Sequence, residues 1–516
     1  MNYKSYIADL HLNIHPNQLD LLEKWYEHSK KKSDFFTIAY YPYQMVDLEN
    51  GYRTEEEIPE TEMNEQWHRI AEFLRQKNKD DNFISFLGFE WQGAGLDGDH
   101  NIYFKDDFGP ISMAERYQEL VQKYKGTDTI GIPHHLAYSK GHRGKNWHTH
   151  DETFSPFVEI YSHHGSSESD QTPLLMERHI HMGPRIGGTT VMDGLKQGYH
   201  FGIIASGDNH DVPALVKNGR AGVWATEYTK EGLWDAFINR RTFGFTDSKI
   251  AVWTAIDDAP MGSIIPAINQ PRQIDWQVEA NGKIERIELY KNTQLEAIQI
   301  VKTFENTDDS EDSLTTFKFK FECGWGPNVK FFPTIFNKKW DGSLKTSGKI
   351  LSVEPIFNSF ENDFSIDENQ RTVHFNCLSQ KATGEDHWMR DASMKNEGFI
   401  VEIQADKNSP ITLTVDGYSE TYSVEQILEQ SRLIIFEDEA KKLVFEKAGL
   451  VDFPRSDGWY HNAYKVKIYQ GTPEVLYRTQ GSFNLLEPTK GEDSYFIKVI
   501  QQDGQVAWSS PIWIQA

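Results

Sequence analysis

Residues 8–16 read A-D-L-H-L-N-I-H-P. His11, Asn13 and His15, three side chains able to ligate a metal, occupy alternate positions after a short apolar stretch. On an extended chain, positions i, i+2 and i+4 share one face. The stretch therefore reads as a strand ending in three ligand-capable groups aimed the same way.

The chain around it repeats the arrangement. Short apolar runs at 6–8, 35–40, 83–89, 129–132, 157–161, 201–205 and 222–226 are strand candidates. Amphipathic helical spacing fills the gaps, as in Leu19, Leu22, Trp25 and Tyr26, or in Met63, Trp67, Ile70, Ala71 and Leu74. Ser112 with Glu115 reads as a capping box, and Thr229 as the cap of a last helix through Leu233, Trp234 and Phe237. Strands alternating with helices predict an α/β fold with a parallel sheet, either closed into a barrel or doubly wound. In both, functional groups gather at the carboxyl ends of the strands.

After about residue 250 the pattern becomes β-rich. Phe317, Phe319 and Phe321 alternate with Lys318 and Lys320, and Tyr495, Ile497 and Val499 precede an Asp503-Gly504 turn. The predicted organisation is 1–248 as a metal-binding α/β barrel. Residues 249–516 then form a β-sandwich-like region, taken as one unit or as two β-subdomains. The run E-N-T-D-D-S-E-D-S at 305–313 reads as a solvated acidic loop.

Composition narrows the function. With 53 Lys and Arg against 77 Asp and Glu, the net charge is −24, which disfavours nucleic acid as a partner. No uncharged apolar run approaches the ~18 residues of a membrane span, so no membrane is expected. The N-terminus lacks a signal-peptide pattern. Two cysteines, Cys323 and Cys377, fit a reducing compartment or one incidental bridge. The expected location is cytoplasmic. Of 19 histidines all but His374, His387 and His461 lie at or before His210, so the chemistry is expected in the first half.

The residues just past each predicted strand give the strongest signal. Glu90 closes the run F-I-S-F-L-G-F-E, where an unpaired carboxylate is costly. Asp99 and His100 come soon after. His134 and His135 sit beyond the fourth strand, His163 and His164 beyond the fifth, and Asp208 and His210 beyond the sixth. One histidine in a core is ordinary, but imidazoles and carboxylates recurring at the same end of successive elements point to a metal. A Cys-free His/Asp/Glu set suits Mn, Fe or Zn.

These residues resemble the PHP (polymerase and histidinol phosphatase) metallohydrolases over roughly 6–246. Asp9-Leu10-His11 resembles the family's opening D-L-H-x-H, and Gly88-Phe89-Glu90 its metal-bridging segment. Ile132-Pro133-His134 resembles a later strand end, and Ser206-Gly207-Asp208-Asn209-His210 its closing G-S-D-x-H. Longer stretches such as S-P-F-V-E-I-Y-S-H-H-G are similar to an uncharacterised bacterial subgroup with a β-rich C-terminal domain. The resemblance implies a distorted seven-stranded βα barrel holding up to three ions. Two positions depart from it: Asn13 replaces the second His, and Ala39-Tyr40-Tyr41 replaces T-D-H. An Asn carbonyl is a weak neutral ligand, and Tyr41 would ligate only as a phenolate. His15 is the substitute at hand. The expected complement is one or two divalent ions on His11, Asn13, His15, Glu90, His100, His134, Asp208 and His210.

For catalysis, His135, His163 and His164 are ligand or acid–base candidates. Arg143 and Lys145, with Lys140, concentrate positive charge in S-K-G-H-R-G-K-N-W and suit a small anionic substrate; Arg185 could join them. His142, His148 and His150 read as polar-loop residues, His179 and His181 as structural, and His28 and His68 as surface groups. The predicted activity is a phosphoesterase acting through metal-activated water. The alternatives are a metal-dependent hydrolase of another ester, a lactone or an amide, or a ligand-binding protein that has lost catalysis.

Overall fold

The structure is a computed structural model describing all residues except 1, 50, 81, 173–186, 211–218, 302–313, 327–336, 357–360, 382–393, 452–462 and 486–490. His179, His181, Arg185, His387, His461 and the acidic run 305–313 lie outside the described residues.

All seven predicted strands of the first half form, but not as a barrel. The chain runs β1 (Lys4–Ala8), β2 (Asn13–Ile14), α1 (Leu22–Lys32), β3 (Phe36–Tyr40), a hairpin of β4 (Tyr43–Asp47) and β5 (Arg53–Glu57), and α2 (Glu60–Asp80). Then come β6 (Ser85–Trp91), β7 (His100–Phe104), α3 (Tyr117–Tyr124), β8 (Thr129–Pro133), β9 (Phe157–Ser162) and β10 (Gly165–Ser166). The first half ends with α4 (Val191–Lys196), β11 (Gly202–Ala205), β12 (Arg220–Ala225), α5 (Lys230–Ile238) and β13 (Thr242–Phe245).

The expected seven-stranded βα barrel is overturned by the strand pairing. The predicted strands divide among three sheets with no closure: β2-β3-β6-β7-β8, β10-β9-β11, and β1-β12-β13 continuing into C-terminal strands. Among the described strands of this half, only β2–β3, β3–β6 and β9–β11 pair in parallel. The physical cause is β7, which lies antiparallel between β6 and β8, while β1 pairs antiparallel with β12. Of the described residues, 47% are in strands and 20% in helices.

Helices form largely where apolar spacing predicts them. Met63, Trp67, Ile70, Ala71 and Leu74 are the buried stripe of α2, and Leu22, Trp25 and Tyr26 that of α1. Thr229 Oγ1 caps α5 by accepting from Gly232 N at 3.0 Å. The predicted Ser112–Glu115 box does not form. Instead α3 starts one turn later, with Arg116 at its cap and Glu119 accepting the Arg116 amide at 3.3 Å.

Beyond residue 248 the structure is mostly antiparallel sheet. Strand Ile250–Ile256 pairs with Arg272–Ala280. Two six-stranded sheets, built around Leu314–Trp325 and Asn337–Thr346, share one core of Phe317, Phe321, Trp340, Phe375, Val401 and Leu413. Cys323 and Cys377 lie in that core as free, buried thiols. Lys318 breaks the predicted alternation: it is buried, with its ammonium over the Tyr477 ring. The predicted Asp503-Gly504 hairpin joins Glu492–Gln501 to Val506–Ser509, and the latter pairs with β13 through Gly244 and Trp508. Hydrogen bonding thus crosses residue 248, and C-terminal strands extend the sheet that begins with β1.

Candidate metal centre

A single buried carboxylate joins the two segments that carry the centre. Asp9 Oδ1 accepts the amides of His11 (3.0 Å) and Gly207 (2.8 Å), and Oδ2 accepts Asn209 Nδ2 (3.1 Å), with Arg220 Nη1 at 3.3 Å. Backbone bonds complete the seam: Asn13 N to Asn209 O (2.8 Å) and Asn209 N to His11 O (3.1 Å). Asp9, first residue of D-L-H, is therefore a structural hub. Burial raises its pKa, and Arg220 and the donated hydrogen bonds oppose that rise.

His11 is fully buried at the centre. Its Nδ1 meets Glu159 Oε2 at 3.0 Å, and its Nε2 lies 3.3 Å from Asp208 Oδ1 and 3.4 Å from Glu90 Oε2. Burial would lower the His11 pKa, but Asp208, Glu159 and Glu90 hold it well above the ordinary value. The His134 ring packs 4.1 Å from that of His11 between centroids, and neither of its nitrogens has a hydrogen-bond partner among the described residues. His135 sits beside it at φ +33°, its amide donating to Glu159 Oε1 at 3.0 Å. Burial, then the neighbouring imidazoles His11 and His164 respectively, hold His134 and His135 well below the ordinary histidine value. His164 Nε2 reaches Asp208 Oδ2 at 2.7 Å, and its Nδ1 lies 2.5 Å from Tyr138 Oη.

Two sets of ligand atoms result. Those of His11, His134 and Asp208 lie within 4.8 Å of one another, and so do those of His135, His164 and Asp208. Burial works against charge on Asp208, yet His11, His164 and His163 pull its pKa well below the ordinary range. A buried carboxylate surrounded by imidazoles with orphaned nitrogens is the donor set a divalent cation would complete. These residues fit such an ion. His135, Arg143 and Asp208 also all take positive φ, at +33°, +67° and +57°. Such non-glycine conformations cost energy and collect where the surrounding structure imposes them, often at functional sites.

The other predicted residues fall around this core. Asn13 donates Nδ2 to Asp208 Oδ1 (3.2 Å), and the same nitrogen lies 3.3 Å from His210 Nε2. His210 Nε2 is 3.1 Å from Asp208 Oδ1, and its Nδ1 is 2.8 Å from His15 Nε2. Tyr41 donates its hydroxyl to Glu55 and accepts from Gln92 Nε2 at 2.9 Å. Burial, with Glu90 and Glu55 nearby, raises the Tyr41 pKa well above its ordinary value. Glu90 is buried, accepting from Gln92 Nε2 at 3.1 Å with Arg143 Nη2 at 3.8 Å. Arg143 binds chiefly Asp99, through Nε at 2.5 Å. His163 is half-buried and stacks on His164, centroids 4.4 Å apart.

His100 and Lys145 form their own pair. His100 Nδ1 lies 2.9 Å from Gly98 O, and its Nε2 is 3.1 Å from Lys145 Nζ. Lys145 is fully buried, 4.6 Å from the Tyr117 ring centroid, and burial pushes its pKa down to about 7. Two of the loop and surface assignments also change. His150 is buried against Trp147, Tyr199 and Phe201, and His28 is buried on α1, whereas His68, His142 and His148 are exposed.

Glu159 and Asp99, which the sequence places in or beside predicted strands without a ligand or catalytic role, complete the centre together with Tyr138, which the sequence does not single out. Glu159 carried a readable signal: a carboxylate inside the apolar strand F-V-E-I-Y-S, the same costly placement that marked Glu90. Asp99 is fully buried, with Oδ2 between Arg143 and His135, and burial pushes its pKa up to about 7 while Arg143 opposes. Tyr138, in a loop, carried no signal in its neighbours.

No family model matches the chain. An uncharacterised protein of Chlamydia pneumoniae is 29% identical over 252 residues, covering 44% of this chain and 40% of that protein. Uncharacterised proteins of Chlamydia trachomatis and Chlamydia muridarum are each 27% identical, covering 44% and 43% of this chain and 39% of theirs. The chain thus spans about two fifths of the length of the curated relatives it matches. Among solved structures, a two-domain protein from Bacteroides vulgatus, described as containing a predicted PHP-like metal-dependent phosphoesterase, is 11% identical. That match covers 82% of this chain and 96% of the other at a TM-score of 0.32, too low to fix the fold. Among the described residues no helix is long and apolar enough to cross a membrane.

Proposed function

We propose that this chain is a metal-dependent hydrolase, a phosphoesterase acting on a small anionic substrate with one or two divalent ions, Mn, Zn or Fe. The observation that carries the reading is the pair of buried ligand sets sharing Asp208. The likeness of D-L-H, G-F-E and S-G-D-N-H to PHP segments supports it, since those residues supply much of the cluster.

A divalent ion held here would supply Lewis-acid polarisation of a substrate oxygen and activation of water near neutral pH. His11, His134, His135, His164 and Asp208 would hold it. The remaining work falls to other groups. Arg143 keeps a quarter of its side chain exposed while fixed to Asp99, so it offers a preorganised guanidinium to an anionic substrate. Lys145 is fully buried against His100 and Tyr117 and Lys140 of the same loop is exposed, whereas Arg143 is half-buried and fixed beside the centre. His163, half-buried beside His164, would protonate the leaving group. Glu159 holds His11 by its Nδ1 and accepts the His135 amide, fixing the His11 ring and the backbone of His135.

The test is elemental analysis of purified protein together with a panel of chromogenic phosphate and carboxyl esters, on wild type and Asp208→Ala. The expected result is bound divalent metal and phosphate-ester hydrolysis, both lost in the variant. A wild type that takes up no Mn, Zn or Fe, or an Asp208→Ala variant that retains turnover, refutes the proposal. Hydrolysis of carboxyl esters alone keeps the metal and moves the reaction to another bond.

A further inference from the structure

The chain has two cysteines in 516 residues, and folding brings them from 54 residues apart into one layer of the sandwich core. Cys323 lies on the strand Leu314–Trp325 of one sheet and Cys377 on Thr372–Lys381 of the other. Side chains two residues apart on a strand share a face. Two residues before each cysteine stand Phe321 and Phe375, whose rings meet across the core with centroids 4.9 Å apart. The next inward positions along both strands are the two thiols, each fully buried. The strands approach within 8 Å between Cα atoms although they belong to different sheets. A disulfide needs about 4.4–6.8 Å between Cα atoms, a span within a small shift of that spacing. Burial, then its hydrogen bond with Cys377, raises the Cys323 thiol well above its ordinary value.

The two sulfurs have unlike surroundings. Cys323 pairs in register with Glu397, a fully buried carboxylate, whereas Cys377 pairs with Trp340. The end of α1 docks on this part of the sandwich: Lys31 Nζ donates to Asp363 Oδ1 at 2.5 Å, and Lys32 Nζ to Ile356 O at 3.4 Å. Lys32 is itself buried. Burial pushes its pKa down to about 8, and Glu397 and Cys377 oppose that fall. Its ammonium therefore acts on Cys377 through surroundings of low dielectric, and a neighbouring cation favours a thiolate. A cysteine that only fills space in a core needs neither a facing thiol nor a buried ammonium.

We propose that Cys323 and Cys377 form an oxidisable dithiol, a disulfide site that joins the two sheets of the sandwich when a peroxide reaches it, with Lys32 as the positioning residue that favours the Cys377 thiolate. The Cys377 sulfur attacks one peroxide oxygen and the O–O bond breaks. The departing hydroxide takes up the proton that the Cys377 thiol has given and leaves as water. Cys377 is then a sulfenic acid. The Cys323 sulfur attacks the Cys377 sulfur, the S–S bond forms and the S–O bond breaks. The second hydroxide takes the Cys323 proton. Two thiols and one hydrogen peroxide thus become one disulfide and two waters, with two electrons passing from sulfur to oxygen. The site lies apart from the ligands around Asp208 and does not depend on the metal-binding reading.

The experiment treats reduced, desalted full-length protein with hydrogen peroxide in native buffer, then alkylates it in denaturant and maps it by mass spectrometry. Wild type should lose both alkylatable thiols, yield a Cys323–Cys377 cross-linked peptide within one chain, and recover both thiols in dithiothreitol. Its melting midpoint should rise by about 5–15 °C on oxidation, because the new bond closes the long loop between the two strands. Cys323→Ser should stop at a sulfenic acid on Cys377 that a cyclic 1,3-dione traps. Lys32→Met should oxidise about tenfold more slowly to the same end point, and Lys32→Arg should keep the wild-type rate. Two thiols that survive peroxide, thiols lost without the cross-linked peptide, or a disulfide formed only between chains overturn the proposal. A Lys32→Met variant as fast as wild type overturns the role of Lys32 alone. If a variant does not fold, the wild-type measurement decides.

Discussion

Replacing Lys498 with Met should loosen the metal centre from a distance. Lys498 lies on the C-terminal strand Glu492–Gln501, and its ammonium donates to Glu168 at 2.7 and 2.8 Å. Both side chains are buried, at 6% and 3% exposure. Glu168 lies four residues after His164, and among the described residues it also accepts from Thr172 Oγ1 at 3.0 Å. Methionine keeps the packing of the lysine stem but leaves a buried carboxylate with one weak donor. Breaking a buried pair from one side costs about 3–5 kcal/mol; the retained Thr172 bond puts the cost near the lower end, about 3 kcal/mol. If that cost falls on local opening, exchange of the 166–172 amides should accelerate about 100-fold or more, since each 1.4 kcal/mol is tenfold. Hydrogen–deuterium exchange with mass spectrometry reads this directly. The double variant Lys498→Met with Glu168→Gln removes the orphaned charge and should recover most of the protection. Unchanged exchange at 166–172 in Lys498→Met, or a double variant as loose as the single one, refutes the reasoning.

Two further outcomes are expected from the same geometry. His200 sits between Glu152 (3.1 Å) and Glu492 (3.0 Å), whose side-chain hydrogen bonds raise its pKa against partial burial. Its stabilising contribution is therefore complete below the ordinary value of about 6.5 and is lost as pH rises through the raised folded value. Melting midpoints of wild type and His200→Gln should differ most at mildly acidic pH and converge in alkali; a constant gap would contradict this. At Gly207, an added methyl would lie 2.0 Å from Asn209 Nδ2 and 2.2 Å from Asp9 Oδ2. Gly207→Ala should cost about 1–3 kcal/mol by overpacking and weaken metal uptake with it, and a variant with wild-type metal content and melting point would show that the Asp9 seam is not needed.

Much of the local structure was legible in the chain because it depends on short-range pattern. The seven apolar runs became strands, the stripe of α2 is the one its spacing gives, and Thr229 caps its helix. The centre was legible in part for a different reason. Glu90, His134 and Asp208 each end or follow an apolar run where an ionisable group is costly unless it has a partner. Glu159, inside the fifth predicted strand, offered the same signal.

How the strands pair was not legible, because apolar alternation records which face is buried and carries no record of direction. The stretch D-H-N-I-Y-F reads as a ligand segment, yet it is an antiparallel strand that separates its neighbours and prevents the predicted barrel. That strand also takes His100 to Lys145, a pairing between residues 45 apart that spacing cannot foretell. By itself, then, the sequence determined which elements form and that buried ligands are present in its first half. Tertiary structure alone decided which ligands share Asp208, because that depends on pairings across nearly 200 residues and on the hydrogen bonds that orient each ring.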